Sequence, residues 1–175
     1  MKGMIHLVRA AALLRDQLPE AGTEIAGEGP ERPALESEIR RLGLEGRVRL
    51  LGWQADLYPV MEQWSIYVQP SVIEPFGMTT VEAMHAGLPV VATRGAGLEE
   101  IVLDGATGIL VEAENPEAIA GAVLRLTRDP ALRNAMGERG RRRAQEEFSP
   151  QRMAAALGRV YDELLGRGPG SKQPG

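Results

Sequence analysis

Residues 66–93 read Ile66-Tyr67-Val68-Gln69-Pro70-Ser71-Val72-Ile73-Glu74-Pro75-Phe76-Gly77-Met78-Thr79-Thr80-Val81-Glu82-Ala83-Met84-His85-Ala86-Gly87-Leu88-Pro89-Val90-Val91-Ala92-Thr93. The run over 66–69 has strand composition and Pro70 ends it, since proline cannot donate to a ladder. A helix over 77–86 follows, stopped by Gly87, and 89–93 is a second apolar strand. Strand, loop, helix and strand in so short a stretch form a crossover unit, which makes the two strands parallel.

Outward from this unit the alternation continues. Before it, a helix over 4–18 carries Ile5, Val8, Ala11, Ala12 and Leu14 at helical spacing, up to Pro19. A strand over 23–26 ends in Gly27-Glu28-Gly29-Pro30, and a helix over 31–42 is stopped by Gly43. A strand over 48–51 and a short helix over 56–63 complete that side. After the unit come a helix over 98–103, a strand over 108–111, and three helices over 116–128, 130–145 and 150–165. Each of the three has proline near its start. Short apolar strands alternating with helices define an α/β fold, a doubly wound parallel Rossmann-like sheet, closed by a helical C-terminal annex. Residues 1–165 form one domain, and 166–175, which carry almost no apolar residue, are expected to be a disordered tail.

Composition narrows the function classes. A net charge of −4 with interspersed signs argues against nucleic acid as a partner, because that needs a concentrated basic face. The chain has no cysteine, which suits a reducing cytoplasm, and His6 and His85 are too far apart in sequence to suggest a metal cluster. No stretch reaches the ~20 apolar residues of a membrane span. Arg141-Arg142-Arg143 reads as a solvated helix face, with peripheral membrane association as the alternative.

In an open parallel sheet, ligands bind beyond the carboxyl ends of the strands, which makes the loop before Gly77 the first candidate site. The first amides of the helix, near Gly77, Met78 and Thr79, lack intrahelical acceptors and carry the positive end of the helix dipole, a setting that suits phosphate oxygens. Glu82 lies one turn on from Met78, about 6 Å along the axis. A carboxylate only accepts hydrogen bonds, so Glu82 suits the diol of a ribose and Glu74 the hydroxyls of a sugar.

The pattern Glu-Pro-Phe-Gly-Met-x3-Glu-Ala-Met-x-Ala-Gly-x-Pro-Val-Val-Ala-Thr over 74–93 resembles the signature of retaining glycosyltransferases with two facing Rossmann-like domains, the GT-B fold, family 4, also called glycosyl transferases group 1. Gly27-Glu28-Gly29-Pro30, the segment Gly95 to Val102, and Asp104-Gly105-x2-Gly108-Ile109-Leu110-Val111 agree in order, so that the resemblance covers residues 2 to 165. The segment at Gly97-Leu98-Glu99-Glu100 departs from the family pattern in having Glu99 in place of proline.

The resemblance implies a nucleotide diphosphate sugar as donor, transfer to an acceptor hydroxyl with retention, and no cofactor. It assigns Glu74 to the donor sugar, Glu82 to the ribose, the backbone of Phe76, Gly77, Met78 and Thr79 to the diphosphate or sugar, and Lys2 of the Lys2-Gly3 pair to the diphosphate. Trp53, after the strand over 48–51, is offered as a base contact, with core packing as the other reading. No Asp-x-Asp pair occurs, so no metal is expected. The resemblance also implies an acceptor-binding N-terminal domain and a first, central strand bearing an arginine, neither of which lies in this chain. The lone chain is therefore expected to be inactive and marginally stable. The other readings are a non-catalytic nucleotide-sugar-binding fragment or split subunit and, less favoured, a nucleotide-sugar 2-epimerase.

Overall fold

The computed structural model of the chain describes residues 2–165, so the tail expected over 166–175 lies outside the described residues. In chain order the elements are α1 (Met4–Leu14), β1 (Thr23–Ala26), α2 (Arg32–Arg41), β2 (Val48–Gly52), α3 (Tyr58–Met61), β3 (Tyr67–Gln69) and α4 (Met78–His85). They continue with β4 (Val90–Thr93), α5 (Ala96–Ile101), β5 (Gly108–Val111), α6 (Pro116–Arg128), α7 (Pro130–Glu147) and α8 (Pro150–Leu164). Every element expected from the sequence is present. The largest trims, four residues each, are at α3, which keeps only Tyr58–Met61, and at α1, which ends at Leu14. Past that point Asp16 and Gln17 offer nothing to bury, and the chain turns, with Leu18 N–H bonding to the Leu14 carbonyl at 2.8 Å.

All strand pairs within the sheets are parallel, but the strands form two sheets, β1-β2 and β3-β4-β5. The resemblance implies the order 3-2-1-4-5-6, in which a first strand lies between the two halves, and the described residues place no strand there.

One face is an aliphatic core of α1, α2 and α6 over β1, with Leu7, Val8, Ile25, Ile39, Ile119 and Leu126 buried. The other packs α4, α5 and α7 over β3 to β5 around Val81, Met84, Val90, Leu98, Ile101 and Ala144. Helix α8 carries Met153, Leu157, Val160, Tyr161 and Leu164 at helical spacing, all exposed. Among the described residues no helix is long and apolar enough to cross a membrane.

The three C-terminal helices have side-chain caps. Asn115 Oδ1 accepts from Ala118 N–H at 2.9 Å and Asp129 Oδ1 from Leu132 N–H at 2.9 Å, while Ser149 Oγ accepts from Arg152 N–H at 3.3 Å. Helix α1 is tied to α2 through the buried Glu38, which accepts from Arg9 Nε at 2.8 Å and from Arg41 Nε and Nη2 at 2.6 and 2.8 Å. The bonds from Arg41, then those from Arg9, hold the Glu38 carboxyl down at about 2, against an ordinary 4.5.

Because the folded value is the lower one, the stabilisation is complete above pH 4.5 and disappears as pH falls toward 2. Glu38→Gln is expected to lower the thermal midpoint at neutral pH and to flatten its decline over that acidic window. An unchanged acid profile in differential scanning calorimetry would remove Glu38 as its source.

Candidate functional site

The carboxyl end of β3 and the start of α4 bring the residues of the signature together. Glu74 is nearly buried, its side chain 9% exposed, and its Oε2 accepts three hydrogen bonds: from Lys2 Nζ at 2.8 Å, Ser71 Oγ at 3.1 Å and Gln69 Nε2 at 3.2 Å. Gln69 Nε2 also donates to Ser71 Oγ at 2.6 Å, so the hydroxyl accepts on one side and donates to the carboxylate on the other. Among the described residues Glu74 Oε1 has no hydrogen-bond partner. The carboxylate is thus fixed through one oxygen and able to accept through the other.

A second layer holds the first. The Tyr67 hydroxyl bonds to Gln69 Oε1, and its oxygen lies 2.9 Å from Thr79 Oγ1. Burial pushes the Tyr67 phenol up to about 12, which keeps it a neutral donor at any working pH. Thr93 Oγ1, fully buried at the end of β4, donates to the Ser71 carbonyl.

The loop between Glu74 and α4 is shaped by two glycines. Gly77 has φ of 98° as the residue before α4, a conformation that disfavours a side chain. Gly97 on α5 lies so close beneath the loop that a Cβ there would sit 2.5 Å from the Pro75 oxygen and 2.6 Å from that of Glu74.

Helix α4 has no side-chain cap, and its first internal bond runs from Thr80 N–H to the Gly77 carbonyl at 2.9 Å. The N–H groups of Gly77, Met78 and Thr79 make no hydrogen bond among the described residues. Glu82 is exposed on the same helix, one turn further on, and its carboxylate has no partner among the described residues.

The Phe76 ring turns away toward Phe148, at 6.3 Å and edge to face, and leaves its backbone at the loop surface. Trp53 is 72% exposed just beyond β2, which overturns its core-packing reading. Gly27, Glu28, Gly29 and Pro30 line one end of the cavity between the two sheets. His6 is buried on α1 and His85 is half-buried at the end of α4, neither with a bond into the site. Among the described residues no three His, Cys, Asp or Glu side chains converge as metal ligands.

Sequence reasoning missed Tyr67, Gln69 and Ser71. Their signal was available: alternate positions of a strand meant for burial on both faces carry polar groups that lead to Glu74. It also misjudged part of the arginine run. Arg141 donates to the carbonyls of His85 and Ala86 at 3.2 and 2.7 Å, and Arg143 to those of Glu100 and Ile101 at 2.7 and 2.9 Å. The two arginines neutralise the carbonyl ends of α4 and α5, the helices that begin at the site.

Comparison with known proteins bears on the same segment. A model of glycosyl transferases group 1 matches residues 1–143. The chain is 33% identical over 168 residues to the lipopolysaccharide core biosynthesis glycosyltransferase LpsE of Rhizobium meliloti, covering 96% of this chain and 47% of that protein. Among solved structures it is similar to Anabaena HepE in complex with UDP-glucose, with 29% identity and a TM-score of 0.82 over 90% of this chain and 45% of the other. It is also similar to the C-terminal domain of a glycosyl transferase group 1 family protein, LpcC, from Francisella tularensis. That match has 26% identity and a TM-score of 0.78, covering 86% of this chain and 81% of that one. The chain spans about half the length of LpsE.

Proposed function

The chain belongs to the glycosyl transferases group 1 family, and from that premise we propose that it binds the nucleotide diphosphate sugar donor of a retaining glycosyl transfer. The observation that carries this reading is the Glu74 carboxylate, fixed by three donors on Oε2 and open at Oε1, beside unpaired amides at the start of α4. In this reading the diphosphate lies on the amides of Met78 and Thr79, Glu82 accepts from the ribose diol, and Glu74 Oε1 accepts from a sugar hydroxyl. Lys2, 63% exposed in its side chain, is shared between Glu74 and the diphosphate. The base lies toward Trp53 and the Gly27 to Pro30 turn, at the ends of β2 and β1.

The transfer itself is a substitution at the sugar carbon. The bond from that carbon to the diphosphate breaks, the acceptor oxygen bonds on the same face, and the acceptor proton passes to a diphosphate oxygen. The residues of this chain bind and orient the donor and stabilise the leaving charge. The acceptor comes from a surface outside residues 2–165, and the exposed apolar side chains of Ile73, Phe76 and Met78 around Glu74 suit coverage by such a surface.

Calorimetry with UDP, UDP-glucose, GDP and GDP-mannose tests the reading. One pair is expected to bind, with the sugar-bearing member tighter, and Glu74→Ala is expected to reduce that member to the affinity of its nucleotide diphosphate. Folded protein that binds none of the four, or a Glu74→Ala variant that keeps the sugar's contribution, would overturn it.

A further inference from the structure

Strand β3 pairs with β4, whose residues Val90, Val91, Ala92 and Thr93 are all buried. Such a neighbour suits an apolar strand, yet β3 buries Tyr67 and Gln69 at alternate positions, with Val68 between them. Buried polar groups cost stability unless their hydrogen-bonding positions are used. Those of the Gln69 amide are used. Its Oε1 accepts from the Tyr67 hydroxyl and faces Thr79 Oγ1 at 3.4 Å, while Nε2 donates to Ser71 Oγ at 2.6 Å and to Glu74 Oε2 at 3.2 Å.

This pattern decides which way round the amide stands. Turned over, it would set its oxygen against the Glu74 carboxylate, two acceptors with no hydrogen between them. Burial keeps the Tyr67 phenol protonated, so a donor meets Oε1 from the other side.

The same network reaches α4. Thr79 Oγ1 is 2.9 Å from the Tyr67 hydroxyl oxygen, and the Thr79 N–H is one of the amides at the start of that helix with no partner among the described residues. One residue therefore has its main chain at the proposed diphosphate seat and its side chain on the group that orients Gln69.

Lys2 shows why such a support matters. Its side chain is exposed, and in the donor reading its ammonium is shared with the diphosphate. The fixed anchors left to Glu74 Oε2 are then Ser71 and Gln69, both buried.

We infer that Gln69 is a positioning residue for the donor sugar, oriented by Tyr67 and Thr79, and that it couples the diphosphate seat on α4 to the carboxylate that reads the sugar. The inference rests on the donor reading above and adds to it two buried residues, Tyr67 and Gln69, that act through Glu74.

Calorimetry on the full chain tests it, the readout being the affinity ratio of UDP-glucose over UDP, or of GDP-mannose over GDP, for the pair that binds. In Tyr67→Phe and in Gln69→Leu this ratio is expected to fall about fivefold, the effect of one hydrogen bond, with the affinity for the nucleoside diphosphate kept within about twofold. Gln69→Glu gives a second readout. Protonated, the new carboxyl donates to Glu74 Oε2 as the amide does at 3.2 Å; ionised, it is a second carboxylate at that place. Relative to wild type, its ratio is expected to be close to one at about pH 5 and to fall as pH rises to about 8. The parallel wild-type titration removes the contribution of the ligand's own phosphate.

A role confined to folding would lower both affinities together and leave the Gln69→Glu ratio without this pH dependence. That result, or unchanged ratios in variants that circular dichroism reports as folded, would overturn the inference. If Gln69→Leu does not fold, Tyr67→Phe, which removes a single oxygen, decides between the same outcomes. A wild type that gains no affinity from the sugar, or a Glu74→Ala variant that keeps the gain, marks instead the failure of the donor reading, and this inference falls with it.

Discussion

Glu82→Ala is expected to weaken binding of whichever nucleoside diphosphate the chain takes, UDP or GDP, by about ten- to a hundredfold while the fold stays as stable as before. Glu82 is exposed on α4 and holds no partner among the described residues, so its loss breaks no internal contact. Surface changes of this kind shift stability by about 0.5 kcal/mol or less. Against a ribose the same carboxylate accepts from two adjacent hydroxyls. Hydrogen bonds to a charged group contribute about 1.5–3 kcal/mol each when water is excluded; at this exposed carboxylate water replaces part of the loss, which leaves about 1.4–2.8 kcal/mol for the pair, and about 1.4 kcal/mol is a factor of ten in affinity.

The effect falls on the nucleotide and not on the sugar, which separates Glu82 from Glu74. The nucleoside diphosphate alone, UDP or GDP, should show the whole loss in the Glu82 variant and almost none in the Glu74 variant. Glu82→Gln keeps one acceptor and should fall between wild type and alanine. Titration calorimetry that gives wild type and Glu82→Ala the same affinity for the diphosphate that binds would remove the ribose assignment.

How much of this site was legible in the sequence depends on the range of the interaction. The order of elements was legible, because strand and helix follow from apolar spacing and from stops such as Pro19, Gly43 and Gly87. The alternation alone sufficed for a parallel sheet. Its division into two sheets needed more: no local pattern marks β1 and β3 as unpaired on one side. The expectation came from the strand order implied by the resemblance, and the one-sided pairing of β1 and β3 agrees with it.

The loop at Glu74 was found by its motif, but the means of holding it was not. Gln69 and Ser71 reach the carboxylate only because β3 aims alternate side chains at the loop that follows it. Arg141 and Arg143 were misjudged for a similar reason. On their own helix they stand on a charged face, and only the packing of α7 against α4 and α5 sets the open carbonyls within reach.

The same packing gives the largest expected change in stability. Gly137 lies inside α7, where helix propensity alone favours alanine over glycine by about 1 kcal/mol. At this position a Cβ would sit 2.2 Å from the carbonyl oxygen of Gly87, the turn that ends α4. The obstacle is backbone, and Gly87 is itself held at φ of 81°, so the strain cannot be relieved by turning a side chain.

Helix α7 must move off α4, which loosens the fully buried Met136 and Met84 and lengthens the bonds from Arg141 to His85 and Ala86. Overpacking of this kind costs about 1–3 kcal/mol, and each kcal/mol lowers the midpoint of a chain this size by about 2–4 °C. Gly137→Ala should therefore melt several degrees below wild type, against the sign that propensity predicts. Gly121 in α6 has nothing within 4 Å of the added methyl, and Gly121→Ala should raise the midpoint. Two glycine-to-alanine changes inside helices thus carry opposite expected signs, and differential scanning calorimetry reads both. A stabilised Gly137→Ala variant would mean that α7 is not seated on the end of α4. If α7 is seated there, the variant that displaces it also disturbs the helix whose first amides are proposed to hold the diphosphate, and its affinity for the nucleoside diphosphate falls together with its stability.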